Sequence, residues 1–180
     1  MPSVHDADVL VVGAGIAGAS IAWFLAPHAR VAVLEREAQP GVHSTGRSAA
    51  MFIESYGTPQ VRALTRASRA FLEHPADGFA AQPLLAPRGT LYVAGADQLA
   101  LLDALEAEVR PHAAQARRLD AAALRRLVPV LEPAASHAGL LDPGAADIDV
   151  NELHQGFLRG LRRAGGSLHC GVSIRSIQHD

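Results

Sequence analysis

Three glycines and one acid carry the most chemistry that this sequence displays. Gly13, Gly15 and Gly18 stand in the run Gly13-Ala14-Gly15-Ile16-Ala17-Gly18, and Glu35 follows 22 residues after the first of them. That spacing suits a dinucleotide. Gly13 permits a tight turn, Gly15 lets a pyrophosphate approach the backbone without meeting a Cβ, and Gly18 lets a helix pack close to a strand. A helix beginning here aims free N–H groups and the positive end of its dipole at phosphate. Glu35 ends the next strand, where its carboxylate can accept both hydrogen bonds of a ribose diol. It would repel a 2′-phosphate, so NAD or FAD is expected rather than NADP. Glycines at this spacing also occur in ordinary turns; the weight comes from strand, turn, helix, strand and acid falling in register.

The elements that must position these residues follow from the apolar pattern. Val9 to Val12 reads as a parallel strand covered on both faces, and the run from Arg30 to Glu35 as a second buried strand. Between them a helix is expected from about Ile16 to Leu25, with Trp23, Phe24 and Leu25 supplying bulk and Pro27 helping to stop it. Residues 36–50 show neither helical nor strand period, and so long a loop in a compact domain is usually functional or mobile. Pro59 to His74 predicts an amphipathic helix, with Val61, Leu64, Phe71 and Leu72 inward. Arg62, Arg66, Arg69 and Glu73 form a solvated face, a reading preferred to an anion site.

Further on, Gly89 to Val93 reads as a strand. Asp97 caps a helix with a Leu99, Leu102, Leu105 and Val109 stripe, and Asp120 caps a short helix ending near Pro129. His137 to Leu141 is a strand candidate. Asp149 and Glu152 have capping-box spacing before a helix with Leu153, Phe157, Leu158 and Leu161 on one face, which Gly165-Gly166 ends. Leu168, Cys170, Val172 and Ile174 alternate as a last strand. The expected fold is α/β, with a Rossmann-type parallel sheet interrupted by the start of a mixed α+β domain. The predicted division is residues 1–82 with 149–180 as a discontinuous nucleotide-binding domain, and 83–148 as the beginning of a substrate domain.

Composition excludes several classes. With 49% hydrophobic residues among 180, the chain can bury a sizeable core. A net charge of −2 gives no electrostatic case for nucleic acid, and all sixteen basic residues are arginine. Cys170 stands alone, so no disulfide framework or thiolate cluster is expected; this suits a reducing cytoplasm. The uncharged run from Val9 to Ala26 is split by three glycines and flanked by Asp6 and Asp8, which argues against a membrane span or signal peptide. Nine histidines include no HExxH and no other ligand spacing, so they read mostly as surface or loop residues and no metal is expected. Ser44 or Ser48 with His43 lacks the strand-turn-helix elbow of a hydrolase. The arginine pairs 117–118, 125–126 and 162–163 read as solvated helix faces.

Beyond the glycine turn, the stretches 34–41, 43–50, 56–64, 146–149 and 153–156 resemble the flavin-dependent amine and D-amino acid oxidoreductases, the D-amino acid oxidase-like group. The closest likeness is to the D-arginine dehydrogenase type, and Ser44-Thr45-Gly46-Arg47-Ser48 is its most specific run. The resemblance implies FAD as cofactor, Glu35 and Arg36 at the adenosine ribose, and Ile174 in a strand against the adenine. It also implies that the loop Ser44, Thr45, Gly46, Arg47, Ser48, Ala49 and Ala50 lies along the pyrophosphate, ribityl chain and flavin ring. Taken alone, that loop reads equally as a solvated turn. Tyr56 matches a tyrosine lining the substrate pocket; the bland reading is a tyrosine packed at a domain boundary. Two departures stand out. Thr90 occupies the place of a carboxylate for a basic side chain, and Met51 that of a histidine near the flavin. A neutral or apolar D-amino acid, or a secondary amine, is therefore expected rather than arginine.

The implied reaction is hydride transfer from the substrate α-carbon to flavin, leaving an imine that water hydrolyses. The electron acceptor is open. Relatives of this group continue for roughly as long again, adding sheet strands, most of the substrate domain and a tyrosine and arginine that grip the substrate carboxylate. The catalytic groups are accordingly expected beyond this stretch, and the isolated 180-residue chain is expected to be inactive. The alternatives are a catalytically inactive FAD-binding remnant and a nucleotide-binding interaction module built on the same strand-turn-helix.

Overall fold

A computed structural model describes residues 7–113 and 115–176. Asp6 of the amino-terminal flank lies outside them. The elements, in chain order, are β1 (Val9–Val12), α1 (Ile16–Leu25), β2 (Val31–Leu34), β3 (Met51–Phe52), α2 (Pro59–Glu73), β4 (Leu85–Pro87), β5 (Thr90–Ala94) and α3 (Leu99–Val109). They continue as β6 (Arg117–Asp120), α4 (Ala121–Leu127), β7 (Ala138–Asp142), β8 (Ala146–Ile148), α5 (Val150–Arg163) and β9 (Ser167–His169). The chain forms two compact units. The first comprises residues 1–50, 74–84 and 149–180, the second 51–73 and 85–148.

The first unit carries a three-stranded parallel sheet in the order β1-β2-β9. β2 is buried throughout, the continuous apolar run of a central parallel strand. β1 departs from expectation. It lies at the end of the described sheet, with Leu10 51% and Val12 65% exposed, so only one of its faces is covered. Asp8 and Arg30 pair at 2.6 Å where β1 and β2 begin, and the Arg30 guanidinium holds the Asp8 carboxyl down at about 2. α1 has the predicted bounds, and Ala14, Ala22, Ala26, Val31, Val33 and Leu161 close the core around it. α5 buries the expected face of Leu153, Phe157, Leu158 and Leu161. Asp149 caps it by accepting from the Glu152 N–H at 2.8 Å. The capping box is only half formed: the Glu152 carboxylate instead accepts from the Ala81 N–H and Arg159. β9 is shorter than the alternation implied. It ends at His169, after which Gly171 adopts φ +72°, and the Gly171 and Val172 amides donate to Glu37 and Glu35 carbonyls.

The second unit has two antiparallel sheets, in the orders β3-β8-β4 and β5-β7-β6. Residues 51–73 belong here, not with the nucleotide-binding segment as expected, because Met51 and Phe52 pair with Asp147 and Ala146. The face of α2 is as expected only toward its carboxyl-terminal end, where Leu72 is buried and Glu73 exposed. Arg62 is 4% exposed, whereas Val61 and Leu64 are 45% and 69% exposed. Arg62 donates to the Gly57 carbonyl and pairs with Glu108; Arg69 pairs with Glu54 and Glu73 and lies 4.7 Å over the Phe52 ring. Arginine stems supply apolar contact while their heads find carboxylates, so the arginine stripe turns inward. Arg117 and Arg118 lie in β6 rather than a helix, with Arg118 paired to Asp103 and Glu106. Asp120 caps α4 as predicted, accepting from the Ala123 N–H at 2.7 Å. Asp97 is not a cap: it sits inside a single 3-10 turn, and the Gln98 side chain accepts from the Gly95 N–H. The α3 stripe is as expected, with Leu102 and Val109 buried and Leu99 and Leu105 packed against them.

Candidate functional site

The site is built where β1 hands over to α1. Gly13 has φ +89°, a left-handed conformation that glycine adopts without strain. A Cβ on Gly18 would lie 1.9 Å from the Gly13 carbonyl oxygen, so the close approach of helix and turn requires the third glycine. The Glu35 carboxylate does not simply face outward. Its Oε2 accepts from the Ala14 N–H at 2.8 Å and its Oε1 from the Glu37 N–H at 2.9 Å. The Glu37 amide is the largest influence holding the Glu35 carboxyl below its usual range; partial burial opposes it and the Ala14 amide adds to it. Each oxygen keeps a further lone pair, enough for a diol.

A cleft of about 280 Å³ opens beside this acid, lined by Gly13, Leu34, Glu35, Arg36, Ser173 and Ile174 among others. Ile174 lines the cleft from irregular chain and not from the strand expected. Arg36 borders the cleft, but its guanidinium pairs with Glu37, which also bonds His43. His43 first, and Arg36 second, hold the Glu37 carboxyl below its ordinary value.

The loop after β2 folds back onto the turn. The Gly46 N–H donates to the Gly41 carbonyl at 2.7 Å, and Thr45, 9% exposed, accepts from the Ile16 N–H at 2.9 Å. Ser44, Gly46, Arg47, Ser48 and Ala49 are exposed. Ala50 has φ +48°, unusual for a residue with a Cβ, and its N–H donates to Ser48 Oγ. The structure therefore brings together the glycine turn, Glu35, Thr45 and Ile174. Tyr56 belongs to the second unit, where it is 66% exposed and its backbone N–H bonds the Ile53 carbonyl. In that unit Thr90 has a buried hydroxyl without a hydrogen-bond partner.

One residue escaped the sequence reading. His154 is 3% exposed, against the expectation of surface or loop histidines, and its Nε2 lies 2.8 Å from the Ala14 carbonyl. Its signal was its position beside Leu153 and Phe157 on an otherwise apolar stripe.

Residues 8–180 match the family described as FAD dependent oxidoreductase, DAO. The chain belongs to the DAO family of FAD-dependent oxidoreductases. The family is FAD-dependent, so the cofactor is FAD and not NAD. Solved structures agree on the fold. Glycine oxidase from Bacillus cereus superposes with a TM-score of 0.79 at 18% identity, covering 97% of this chain and 50% of that one. L-α-glycerophosphate oxidase from Mycoplasma pneumoniae, solved with FAD bound, gives 0.75 at 18% identity, covering 92% and 44%. L-proline dehydrogenase from P. horikoshii gives 0.77 at 18% identity, covering 99% and 47%. This DAO-family chain thus spans half or less of the length of these relatives. Among the described residues, no helix is long and apolar enough to cross a membrane, and no group of three metal-ligating side chains occurs.

Proposed function

We propose that this DAO-family chain belongs to an oxidoreductase that oxidises the CH–NH bond of a D-amino acid or related amine, with an electron acceptor still to be identified. The observation that carries the reading is the family match over residues 8–180. The clamp of Glu35 on the glycine turn and the adjacent cleft fit a nucleotide there. The chemistry that FAD supplies when bound is acceptance of a hydride equivalent from the carbon bearing nitrogen, which leaves an imine for water to hydrolyse.

In this reading the backbone of Gly13, Ala14, Gly15, Ile16, Ala17 and Gly18 binds the pyrophosphate, and Glu35 with Arg36 orients the adenosine ribose. Ile174 covers the adenine. The loop from Ser44 to Ala50 lies along the pyrophosphate, ribityl chain and ring, with Thr45 fixing it to the helix start. Tyr56 touches the substrate carboxylate or gates its pocket. Residues 1–50, 74–84 and 149–180 form the cofactor domain, and the second unit begins the substrate domain. Glycine oxidase and L-proline dehydrogenase, by name, support an amino acid as substrate; the D-configuration rests on the resemblance at 43–50 and 56–64. Thr90 offers a hydroxyl where the D-arginine type carries a carboxylate, and threonine cannot pair with a guanidinium. A neutral or apolar side chain is the better fit. A cytoplasmic location is proposed on the lone cysteine.

The test is anaerobic reduction of the FAD-loaded, full-length protein by a panel of D- and L-amino acids and secondary amines, followed as bleaching of the flavin band. Neutral D-amino acids or secondary amines are expected to bleach it faster than D-arginine. Bleaching by L-enantiomers alone would overturn the stereochemical assignment, and no bleaching by any amine would overturn the reaction.

A further inference from the structure

We infer that His154 is a positioning residue for the FAD pyrophosphate, acting through the Ala14–Gly15 peptide. The inference rests on reading Gly13 to Gly18 as the phosphate-binding turn. His154 lies on α5 among Leu153, Phe157, Leu158 and Leu161, a face where an apolar side chain would serve the core without burying a polar ring. Its imidazole is bonded instead. A carbonyl only accepts, so Nε2 carries hydrogen and donates to the Ala14 oxygen over 2.8 Å. On the other side of the same residue, the Ala14 N–H donates to Glu35 at 2.8 Å. Ala14 is held at both its amide and its carbonyl, by side chains from two distant parts of the chain.

The orientation of one amide follows. The Ala14–Gly15 peptide is trans and planar, so turning its C=O to His154 turns the Gly15 N–H the opposite way. Gly15 lacks a Cβ, and nothing in its own side chain would resist rotation of that peptide plane. The histidine supplies the restraint that the glycine cannot. The same ring braces the loop: its Cε1 lies 3.0 Å from where a Gly41 Cβ would stand. Gly41 accepts the Gly46 N–H, closing the turn that holds Thr45 against the Ile16 amide.

The test compares His154→Gln, whose amide nitrogen can still donate, with His154→Leu, which keeps apolar bulk and loses the donor. FAD dissociation constants are measured by quenching of flavin fluorescence in the full-length protein. Hydrogen exchange at the Gly15 amide is measured in the FAD-free form. His154→Leu is expected to weaken FAD by about tenfold, the order of one lost hydrogen bond, and to speed Gly15 exchange; His154→Gln should stay near wild type in both. Wild-type affinity and exchange in His154→Leu would overturn the inference. So would equal weakening in both variants, which would make the ring's shape, and not its donor, responsible. Failure of the unmutated protein to bind FAD would instead sink the phosphate reading, and the inference with it.

Discussion

Gly18→Ala adds one methyl group at the point where α1 meets its turn. In a helix the change alone would stabilise by up to about 1 kcal/mol, because alanine has less backbone freedom to lose. The structure reverses that sign. The new Cβ would stand 1.9 Å from the Gly13 carbonyl oxygen and 3.3 Å from Val11 Cγ1. Restoring an ordinary contact requires the helix start and the turn to part by about 1.5 Å, because the Cβ is fixed to the helix backbone and the oxygen it meets is backbone too. Overpacking of this kind costs about 1–3 kcal/mol, and rigid backbone puts it near the upper end. The net loss is about 2 kcal/mol, or roughly 4–8 °C in melting temperature for a chain of this size. With the pyrophosphate held at this turn as proposed, the same displacement would move the helix amides away from it, so FAD affinity should fall by more than the stability loss explains. Thermal unfolding of the FAD-free protein and a fluorescence titration with FAD measure the two effects. A Gly18→Ala protein at least as stable as wild type, with unchanged FAD affinity, would refute the packing argument.

Other expectations follow from particular contacts. Glu35 titrates below its usual range when folded, so its carboxylate contributes stability above the unfolded value, and this is lost as pH falls through the folded one. The stability gap between wild type and Glu35→Gln should therefore shrink between pH about 5 and the acid limit of folding; a gap constant with pH in denaturant titrations would contradict it. In α2, Leu64→Glu should change stability by no more than about 0.5 kcal/mol, because Leu64 is 69% exposed. Arg62→Leu should cost about 1–3 kcal/mol by stripping the Gly57 carbonyl and Glu108 of their partner; the reverse ranking would restore the solvated-arginine reading. Thr90→Val removes a buried hydroxyl without a partner and should be neutral or stabilising by up to about 1 kcal/mol. A clear loss of stability would show that the hydroxyl is bonded in solution.

Local chemistry was legible in the sequence where a few neighbouring residues decide it. The bounds of α1, the caps at Asp120 and Asp149 and the buried stripe of α5 all depend on residues within one or two turns. The succession of strand, glycine turn, helix and strand ahead of Glu35 could be read because its parts follow at fixed spacing. What was illegible depends on partners far along the chain. The hydrophobic period of α2 names Val61, Leu64, Phe71 and Leu72 as its buried side; Leu72 is buried, but toward the start of the helix Glu54 and Glu108 draw arginines inward in place of Val61 and Leu64. β3, β4 and β8 have two or three residues each, too few for alternation to register. Alternation did continue past β9, yet Gly171 turns the chain out of the sheet toward the cleft. His154 was hidden for a related reason: a histidine's worth depends on whether an acceptor waits, and the acceptor lies 140 residues earlier.

The way the chain leaves and re-enters the first unit bears on how the protein folds. Leu85 and Ile148 are paired in register, and the Asp149 N–H donates to the Leu84 carbonyl beside them. The intervening stretch therefore ends where it began. Closing so long an excursion at random would carry an entropic cost of a few kcal/mol before α5 and β9 could dock. Once β4 and β8 have paired, that cost has been met within the second unit, and α5 is delivered to Leu84 already aligned. The chain that separates β9 from β2 is then shortened by the whole of that excursion. Assembly of the second unit ahead of the parallel sheet is the folding order that this topology favours.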